Sequence, residues 1–307
     1  MFLVCGEALM DVFPSGVTRE GLALDARVGG SPFNVAIGLA RLGQPVAFAG
    51  GISSDAFGER LLQALQDEGV DVAAVQRFAA PTTLSVVTTD ARGLPSYAFH
   101  GAQAADRMLA ARPLATLPAG VRVLHLGSYA IVVEPVAATL LRLVEREHGR
   151  LLVAYDPNVR LNVEPSRERW RSALEWMAQR THLLKLSAED AALLYPGDDL
   201  EDLARQWLDQ GVALVLVTRG SEGALAFTAK ASVRVAAASV APVDTVGAGD
   251  AFQAALLAWL VEHDALTPLA LQSLGEDDLR SALHFAARAA AITCSRRGAD
   301  LPRRTDL

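Results

Sequence analysis

The sequence predicts an α/β fold in which helices cover both faces of a mostly parallel sheet. Short apolar runs alternate along the chain with amphipathic stretches of helical length, and these runs are apolar throughout. Strands without polar alternation are typical of a parallel sheet that is buried on both faces. Residues 12–28 and 83–99 break this rhythm, because they combine alternation and turn residues with no helical pattern. We predict that they form antiparallel strands of a small second sheet.

The strands of the main sheet are predicted from the apolar runs at residues 2–5, 46–49, 121–126, 151–155, 183–186 and 214–217. The first helix is predicted to begin at Ser31-Pro32, with serine as its cap and proline at the first helical position. Glycines are predicted to end several later helices. Those helices are predicted at residues 57–68, 135–148, 166–179, 200–210, 248–263 and 276–295.

The composition argues against several classes of protein. The chain has 307 residues, 51% of them hydrophobic, so it can bury a sizeable core as two ordinary domains or one large α/β domain. Its net charge of −7 argues against a surface that coats nucleic acid. The only lysines are Lys185 and Lys230, and neither lies in the frame of a P-loop. A phosphate site in this chain would therefore use backbone amides, arginine or a metal ion.

The sequence also predicts where the protein resides. Cys5 and Cys294 lie far apart between apolar neighbours, which favours inert thiols in a reducing compartment over a disulfide or a zinc site. The first residues lack the basic region of a signal peptide. The longest apolar stretch, residues 251–261, is too short to span a bilayer. We expect a soluble cytoplasmic protein.

The strongest motif is D-T-V-G-A-G-D at residues 244–250, directly before a predicted helix. Gly247 and Gly249 allow backbone N–H groups to converge at the helix N-terminus, where the helix dipole supplies roughly half a positive charge. This arrangement predicts an anion site that needs no lysine. Asp250 lies in the same turn, where a general base for phosphoryl transfer would stand. The alternative is an acid that only complements the helix dipole.

Ligands of open parallel sheets bind at the carboxyl ends of the strands, so the polar residues that follow each strand are further candidates. They are Glu7, Asp11, His125, Ser128, Asp156, Asn158, Lys185, Ser187, Thr218, Arg219 and Gly220. Several have alternative interpretations. Ser187 and the acid three residues later form the pattern of a capping box. Lys185 would either approach a phosphate or extend its head group to solvent, and His125 is favoured as a structural residue.

These motifs resemble those of the pfkB (ribokinase-like) carbohydrate kinases. The D-T-V-G-A-G-D segment is similar to the family's signature, and the other matches follow in the family's order over essentially the whole chain. They are G-E-A-L-M-D at 6–11, V-G-G-S-P-F-N at 28–34, G-G-I-S-S-D-A-F-G at 50–58, H-L-G-S at 125–128 and D-P-N-V-R at 156–160. The last two resemble the fructokinase branch. So many matches in a fixed order make chance implausible.

The resemblance implies a ribokinase-like three-layer α/β/α sandwich: a single kinase domain over residues 1–307, with a β-lid formed by about residues 12–30 and 83–103. It implies an ATP-dependent kinase that phosphorylates a hydroxyl of a neutral sugar, with fructose to fructose 6-phosphate as the leading reaction. The implied cofactors are ATP and Mg²⁺, with K⁺ as a further candidate. The implied partners are the sugar, ATP and a second copy of the chain bound through the lid, with no nucleic acid and no membrane.

The resemblance also implies a role for each matching residue. Asp250 would be the catalytic base, beside an anion hole formed by Gly247, Ala248 and Gly249. The sugar would be bound by Asp11, Gly29, Gly30, Asn34, Phe99 and Arg160. The nucleotide would be bound by Ser187, Thr218, Gly220, Gly223, Gly247 and Gly249. Either Glu189 or Asp190 would organise Mg²⁺ through water. Asp244 and Val246, with the segment near Gly298, would resemble a monovalent-cation site.

Three departures from the family pattern bear on the substrate. Ser187 and Asp190 stand where the family has N-x-x-E, and Ala287 stands where it often has an asparagine beside adenine. The lid strand around Phe99 lacks the arginine of branches that act on sugar acids, which favours a neutral sugar. The alternatives are a 2-keto-3-deoxygluconate, ribose or nucleoside kinase of the same family and, in another class, a catalytically silent sugar-binding regulator. An NAD-dependent dehydrogenase is disfavoured, because no G-x-G-x-x-G follows the first strand.

Overall fold

The computed structural model of the protein describes residues 1–89, 95–111 and 114–307. Its strands are β1 (Phe2–Cys5), β2 (Leu9–Val17), β3 (Leu22–Gly29), β4 (Val46–Ala49), β5 (Gly51–Ser53), β6 (Gln76–Phe78), β7 (Leu84–Thr89), β8 (Pro95–His100), β9 (Val123–Gly127), β10 (Leu152–Asp156), β11 (Leu183–Ser187), β12 (Leu214–Thr218), β13 (Ala224–Phe227) and β14 (Ser232–Val235). Its α-helices are α1 (Ser31–Arg41), α2 (Ala56–Asp67), α3 (Val136–Glu147), α4 (Arg167–Ala178), α5 (Ala188–Leu194), α6 (Leu200–Asp209), α7 (Ala248–Glu262), α8 (Pro268–Ser273) and α9 (Glu276–Cys294).

Among the described residues, the main sheet has eight strands in the order β4-β1-β9-β10-β11-β12-β13-β14. The first six are parallel and correspond to the six predicted strands, whereas β13 and β14 continue the sheet antiparallel. Those last two strands were not predicted. Because the parallel strands share one direction, the residues that follow them lie at one edge of the sheet. Candidate residues from distant parts of the sequence are thereby brought together.

Two apolar cores cover the two faces of the main sheet, as the unbroken apolar runs predict. Neighbouring residues of β1 alternate between them: Val4 packs with residues of α1, α7 and α9, whereas Leu3 packs with residues of α3, α4 and α6. The fold is therefore the predicted three-layer α/β/α sandwich. Helix α1 approaches α7 closely at Gly38, where an added Cβ would lie 2.7 Å from the Cβ of Ala254. This approach places the first turns of the two helices side by side.

The small sheet has the strand order β3-β2-β7-β8. The pairs β2–β3 and β7–β8 are antiparallel, as predicted, but β2 and β7 run parallel, so a wholly antiparallel sheet was the wrong prediction. The physical reason lies where these two strands begin. The N–H of Met10 donates to the carbonyl of Thr83, so both hairpins start side by side and run the same way. Residues 90–94 of the predicted second segment lie outside the described residues.

Candidate active site

Asp250 lies in the first turn of α7 and is buried between two side chains of α1. The hydroxyl of Ser31 donates to its Oδ1 at 2.7 Å, and the Nδ2 group of Asn34 donates to its Oδ2 at 2.8 Å. Asn34 is therefore more than a first-turn polar residue. Ser31 was predicted as the helix cap, but Gly30 occupies that position and makes no side-chain cap. The Ser31 hydroxyl turns to Asp250 instead, a contact that the sequence analysis missed.

The environment of Asp250 suits a proton acceptor. Burial raises the pKa of this carboxyl group above its ordinary value, as does the nearby Asp156. The hydrogen bonds from Asn34 and Ser31 and the charge of Lys185 oppose that rise. The backbone ahead of it turns at Gly247, which has a φ of 78°. A Cβ at Gly247 would lie 2.6 Å from the Cβ of Ala299, so this turn needs glycine.

Asp11 is the second buried acid of the site. Its predicted position just past a strand is wrong, because it lies inside β2, with its carboxylate beside Gly29 of the neighbouring strand β3. A Cβ at Gly29 would lie only 2.2 Å from the Asp11 Oδ2 atom, and one at Gly30 would lie 2.8 Å from the carbonyl oxygen of Glu7. Gly30 also has a φ of 106°. The double glycine is therefore required where the small sheet joins α1.

Charged neighbours connect Asp11 to the rest of the site. Burial raises the pKa of Asp11 to about 7, and the charges of Asp250 and Asp244 act in the same direction. The Ser85 hydroxyl and the guanidinium of Arg160 oppose the rise. Asp11 is therefore within electrostatic range of both Asp250 and Arg160, which lie far from it in the sequence.

Aromatic residues of β8 face the segment that carries Arg160. The guanidinium carbon of Arg160 lies 5.9 Å from the centre of the Tyr97 ring, and Asn162 Nδ2 donates to the Tyr97 carbonyl at 2.7 Å. Phe99 stacks on Tyr97 at 6.4 Å between ring centres and meets Tyr129 edge-on at 6.0 Å. Arg160 and Phe99 thus border the same region. Tyr97 and Asn162 carried no sequence signal that selected them.

Ser187 begins α5 and forms the predicted capping box. Its hydroxyl accepts from the N–H of Asp190 at 3.0 Å, and the Asp190 carboxylate accepts from the N–H of Ser187 at 3.4 Å. Asp190 is buried and also accepts from the N–H of Val159 at 3.0 Å. Glu189 is exposed beside it. Asp190 is thus committed to backbone donors, whereas the Glu189 carboxylate faces solvent.

Three of the predicted nucleotide residues, Thr218, Gly220 and Gly223, lie at or just after the end of β12. Thr218 is the register neighbour of Ser187, so both lie at the same edge of the sheet. Gly220 follows in a short turn with a φ of 54°. Gly223 has a φ of 94°, and a Cβ there would lie 2.0 Å from the carbonyl oxygen of Val235. Gly223 therefore allows the β12–β13 connection to pass closely beside the end of β14.

Asp244 links the glycine loop to the segment after α9 through hydrogen bonds. Its Oδ1 accepts from the N–H of Val246 at 3.0 Å, and its Oδ2 accepts from the N–H of Gly298 at 2.8 Å. Val246 is buried against Phe13 and Val87 of the small sheet. The three positions that the resemblance linked to a monovalent cation are thus brought together by these two hydrogen bonds.

Lys185 lies at the centre of the site. Its Nζ atom donates to Asp156 Oδ2 at 2.6 Å, and both side chains are buried, so the interpretation of Lys185 as a solvent-seeking lysine was wrong. His125 is buried nearby, and burial lowers its pKa to about 3, which keeps the ring neutral. Burial raises the pKa of Glu7 to about 8. Each of these charged or polar groups follows or lies within a strand of the main sheet.

Metal binding by side chains alone is not a feature of the described residues, which contain no group of three or more His, Cys, Asp or Glu side chains able to hold an ion. Mg²⁺ commonly uses one or two carboxylates together with phosphates and water. Glu189 and Asp190 fit that pattern.

Within the described ranges, no helix is long and apolar enough to cross a membrane.

Comparison with known proteins finds relatives along almost the whole chain. The chain is 36% identical over 281 residues to a fructokinase of Rhizobium leguminosarum bv. trifolii, covering 92% of this chain and 86% of that protein. It resembles the Xylella fastidiosa fructokinase crystallised with ATP, with a TM-score of 0.86, 27% identity and coverage of 100% and 94%. It also resembles a Vibrio cholerae O395 fructokinase double mutant crystallised with fructose, ADP and potassium, with a TM-score of 0.83, 27% identity and coverage of 97% and 93%.

The family model that describes pfkB family carbohydrate kinases matches residues 2–306. That match spans the whole sandwich, the small sheet and the glycine loop before α7. The fold and the phosphotransferase class implied by the sequence motifs are therefore confirmed. The chain belongs to the pfkB family of carbohydrate kinases.

Proposed function

We propose that this protein is an ATP-dependent fructose kinase that forms fructose 6-phosphate. One observation carries the proposal: the buried Asp250 carboxylate is held by Ser31 and Asn34 at the start of α7, directly after the glycine loop and within electrostatic range of Asp11. A base and an anion site are thus combined at one helix N-terminus, beside polar groups suited to a sugar.

The proposed roles follow from this placement. Asp250 takes the proton of the sugar hydroxyl as that oxygen attacks the γ-phosphate of ATP. Backbone N–H groups of Gly247, Ala248 and Gly249 hold the transferring phosphoryl group, whose loose transition state needs positioning and charge stabilisation more than covalent help. Closure of the small sheet over the sugar would exclude water, the competing acceptor.

The sugar would lie between the small sheet and the first turns of α1 and α7. Asp11 and Asn34 offer hydrogen-bonding groups to its hydroxyls, the backbone of Gly29 and Gly30 lets Asp11 and the Glu7 carbonyl pack closely beside it, and Arg160 and Phe99 border the region. The described part of β8 presents Tyr97 and Phe99, with no arginine. An aromatic, uncharged wall supports a neutral sugar over a sugar acid.

ATP would lie along the ends of β11 and β12, against Ser187, Thr218, Gly220 and Gly223. Mg²⁺ supplies charge neutralisation of the phosphates when it is bound, and Glu189 or Asp190 would hold it through water. Of these, we favour Glu189 as the freer carboxylate, because Asp190 already accepts from two backbone donors. K⁺ would bind near Asp244 and Val246, in the segment that joins Gly298.

The proposed homodimer would form through the small sheet. Val17, Leu22 and Leu24 are 85%, 65% and 57% exposed and lie on one face of the β2–β3 hairpin, where Val17 pairs with Leu22. Such a cluster of exposed apolar side chains is typical of an interaction surface.

The cytoplasm stays the predicted location, and the two cysteines are unpaired as a reducing compartment would leave them.

A sugar panel tests the proposal. With ATP and Mg²⁺, we expect the highest kcat/KM on fructose among fructose, ribose, 2-keto-3-deoxygluconate and adenosine, measured by ADP release. The position of the new phosphate would be identified by NMR of the product. Turnover of ribose, 2-keto-3-deoxygluconate or adenosine but not of fructose would reject fructose as the substrate. Sugar binding without any turnover would favour a catalytically silent regulator.

A further inference from the structure

The buried pair of Lys185 and Asp156 lies directly beneath the glycine loop. Lys185 points from the middle of β11 to the face that α7 covers, since its neighbour Leu183 two residues earlier packs with residues of α7. The side chains of Lys185 and Asp156 are only 5% and 3% exposed. A charged pair loses most of its hydration when it is buried this deeply, and packing alone would be served as well by apolar residues. The position of this ion pair beside the glycine loop suggests that it serves the chemistry of the site.

The ammonium group of Lys185 is next to Gly249, the more exposed of the two glycines of the loop. Gly249 is exposed, and a Cβ added there would lie 3.3 Å from the Lys185 Nζ atom. A ligand atom that occupied this space would therefore be within hydrogen-bonding distance of Nζ. An ammonium group has three N–H donors. Within the described part of the chain, Asp156 Oδ2 is the one acceptor that Nζ meets.

The charges around Lys185 favour an anion at that position. Lys185 lies among the buried acids Asp156, Asp190 and Asp250. Burial raises the pKa of the latter two, and the charge of Lys185 opposes that rise. The second carboxylate oxygen of Asp156, Oδ1, is buried without a hydrogen-bond partner among the described residues. A phosphoryl group that enters this acidic region needs a cation to offset the repulsion. Among the described residues, Lys185 is the one buried lysine or arginine, and it lies beside the loop that would hold the phosphoryl group.

We infer that Lys185, held by Asp156, is a catalytic residue that donates to the transferring phosphoryl group at Gly249. Asp156 is the positioning residue, because its carboxylate fixes the ammonium group below the loop and leaves two N–H donors for the phosphate oxygens. This inference rests on the proposed kinase function and adds a side-chain cation to the backbone anion hole.

Nuclear magnetic resonance tests the contact in the unaltered protein. The chain has only two lysines, so labelling lysine with ¹³C at Cε gives two signals, and Lys230→Arg assigns them. Lys230 is exposed in the turn between β13 and β14, at the end of the sheet opposite to Thr218, and serves as the internal control. We expect AMP-PNP with Mg²⁺ and fructose to shift the Lys185 signal and leave the Lys230 signal in place.

Two further ligand additions distinguish a direct phosphate contact at Lys185 from a signal change caused by closure of the small sheet. Fructose alone and adenosine with fructose should leave the Lys185 signal near its free position, because neither ligand carries a phosphate. A Lys185 signal that AMP-PNP does not move, or that fructose alone moves equally far, would overturn the inference. If AMP-PNP shifts the Lys185 signal but the protein does not phosphorylate fructose, the phosphate contact of Lys185 stands and only fructose as the substrate is rejected.

Kinetics then distinguish a catalytic lysine from a structural ion pair. Lys185→Met should lower kcat about 10²–10³-fold, the loss typical of one donor to a developing negative charge, with a smaller change in the KM for fructose. Lys185→Arg should recover part of the activity, and Lys230→Met should match the wild type. The double variant Lys185→Met/Asp156→Asn removes both buried charges, so it restores stability without restoring kcat. Wild-type kcat in that double variant would contradict a catalytic role.

Discussion

Glu7 is buried just past β1, and its Oε2 atom meets no hydrogen-bond partner in the described ranges. Burial raises the pKa of its carboxyl group from 4.5 to about 8, with Asp106 adding to the rise and Ser128 and Arg160 opposing it. The folded protein therefore holds a proton on Glu7 that the unfolded chain releases near pH 4.5. The stabilisation from this group is complete below that pH and is lost as the pH rises through about 8.

Glu7→Gln should remove this pH dependence, because glutamine stays neutral. The variant and the wild type should have similar Tm values near pH 5, and the variant should become the more stable protein above pH 8, by on the order of 1 kcal/mol or more. Thermal unfolding across this pH range measures the difference. Glu20→Gln, at an exposed position, is the control. A Tm difference that does not change with pH would show that Glu7 is not protonated in the folded protein.

Single residues also show what sequence patterns can and cannot predict. The pattern around Asp250 indicated both the anion loop and the base, since the glycines and the acid are neighbours in the chain. The partners of Asp250 were harder to predict: Ser31 lies 219 residues away and was assigned as a helix cap. The role of the Lys185 side chain could not be decided from the sequence, because its partner Asp156 lies 29 residues away on another strand. Contacts made through tertiary packing leave no local pattern.

At the level of elements, unbroken apolar runs identified the parallel strands and helical spacing identified most helices. The antiparallel strands β13 and β14 were not predicted, and β14 alternates between exposed and buried residues instead of forming an unbroken apolar run. The parallel pairing of β2 with β7 was missed for a different reason. Alternation shows that a segment forms a strand, but its pairing partner and direction depend on where the connecting loops return.

The exposed face of the β2–β3 hairpin predicts self-association through the small sheet. Leu22→Glu combined with Leu24→Glu places charges on the apolar face and should convert a dimer to a monomer in sedimentation velocity at the same concentration. Leu269→Glu is the matched control, because Leu269 is 76% exposed on α8, outside the small sheet. A wild type that sediments as a monomer, or double-variant dimers as stable as those of the wild type, would reject this interface.

In the whole molecule, one packing arrangement produces the site. The close approach of α1 and α7 at Gly38 sets Ser31 and Asn34 against Asp250, and Val246 joins the glycine loop to the small sheet. The proposed sugar, phosphate and base positions therefore meet at a junction of three elements. A change in the angle between the small sheet and the sandwich would alter access to this junction without altering the pair of Lys185 and Asp156.

In the proposed reaction, Asp250 acts as the base of an ATP-dependent fructose kinase. The most direct test is Asp250→Asn, with fructose turnover measured by ADP release and with fructose and AMP-PNP binding measured by calorimetry. Asparagine keeps the size of the side chain but cannot take up the proton, so kcat should fall about 10²–10⁴-fold while both ligands still bind. A variant that retains near wild-type kcat on fructose would contradict the claim.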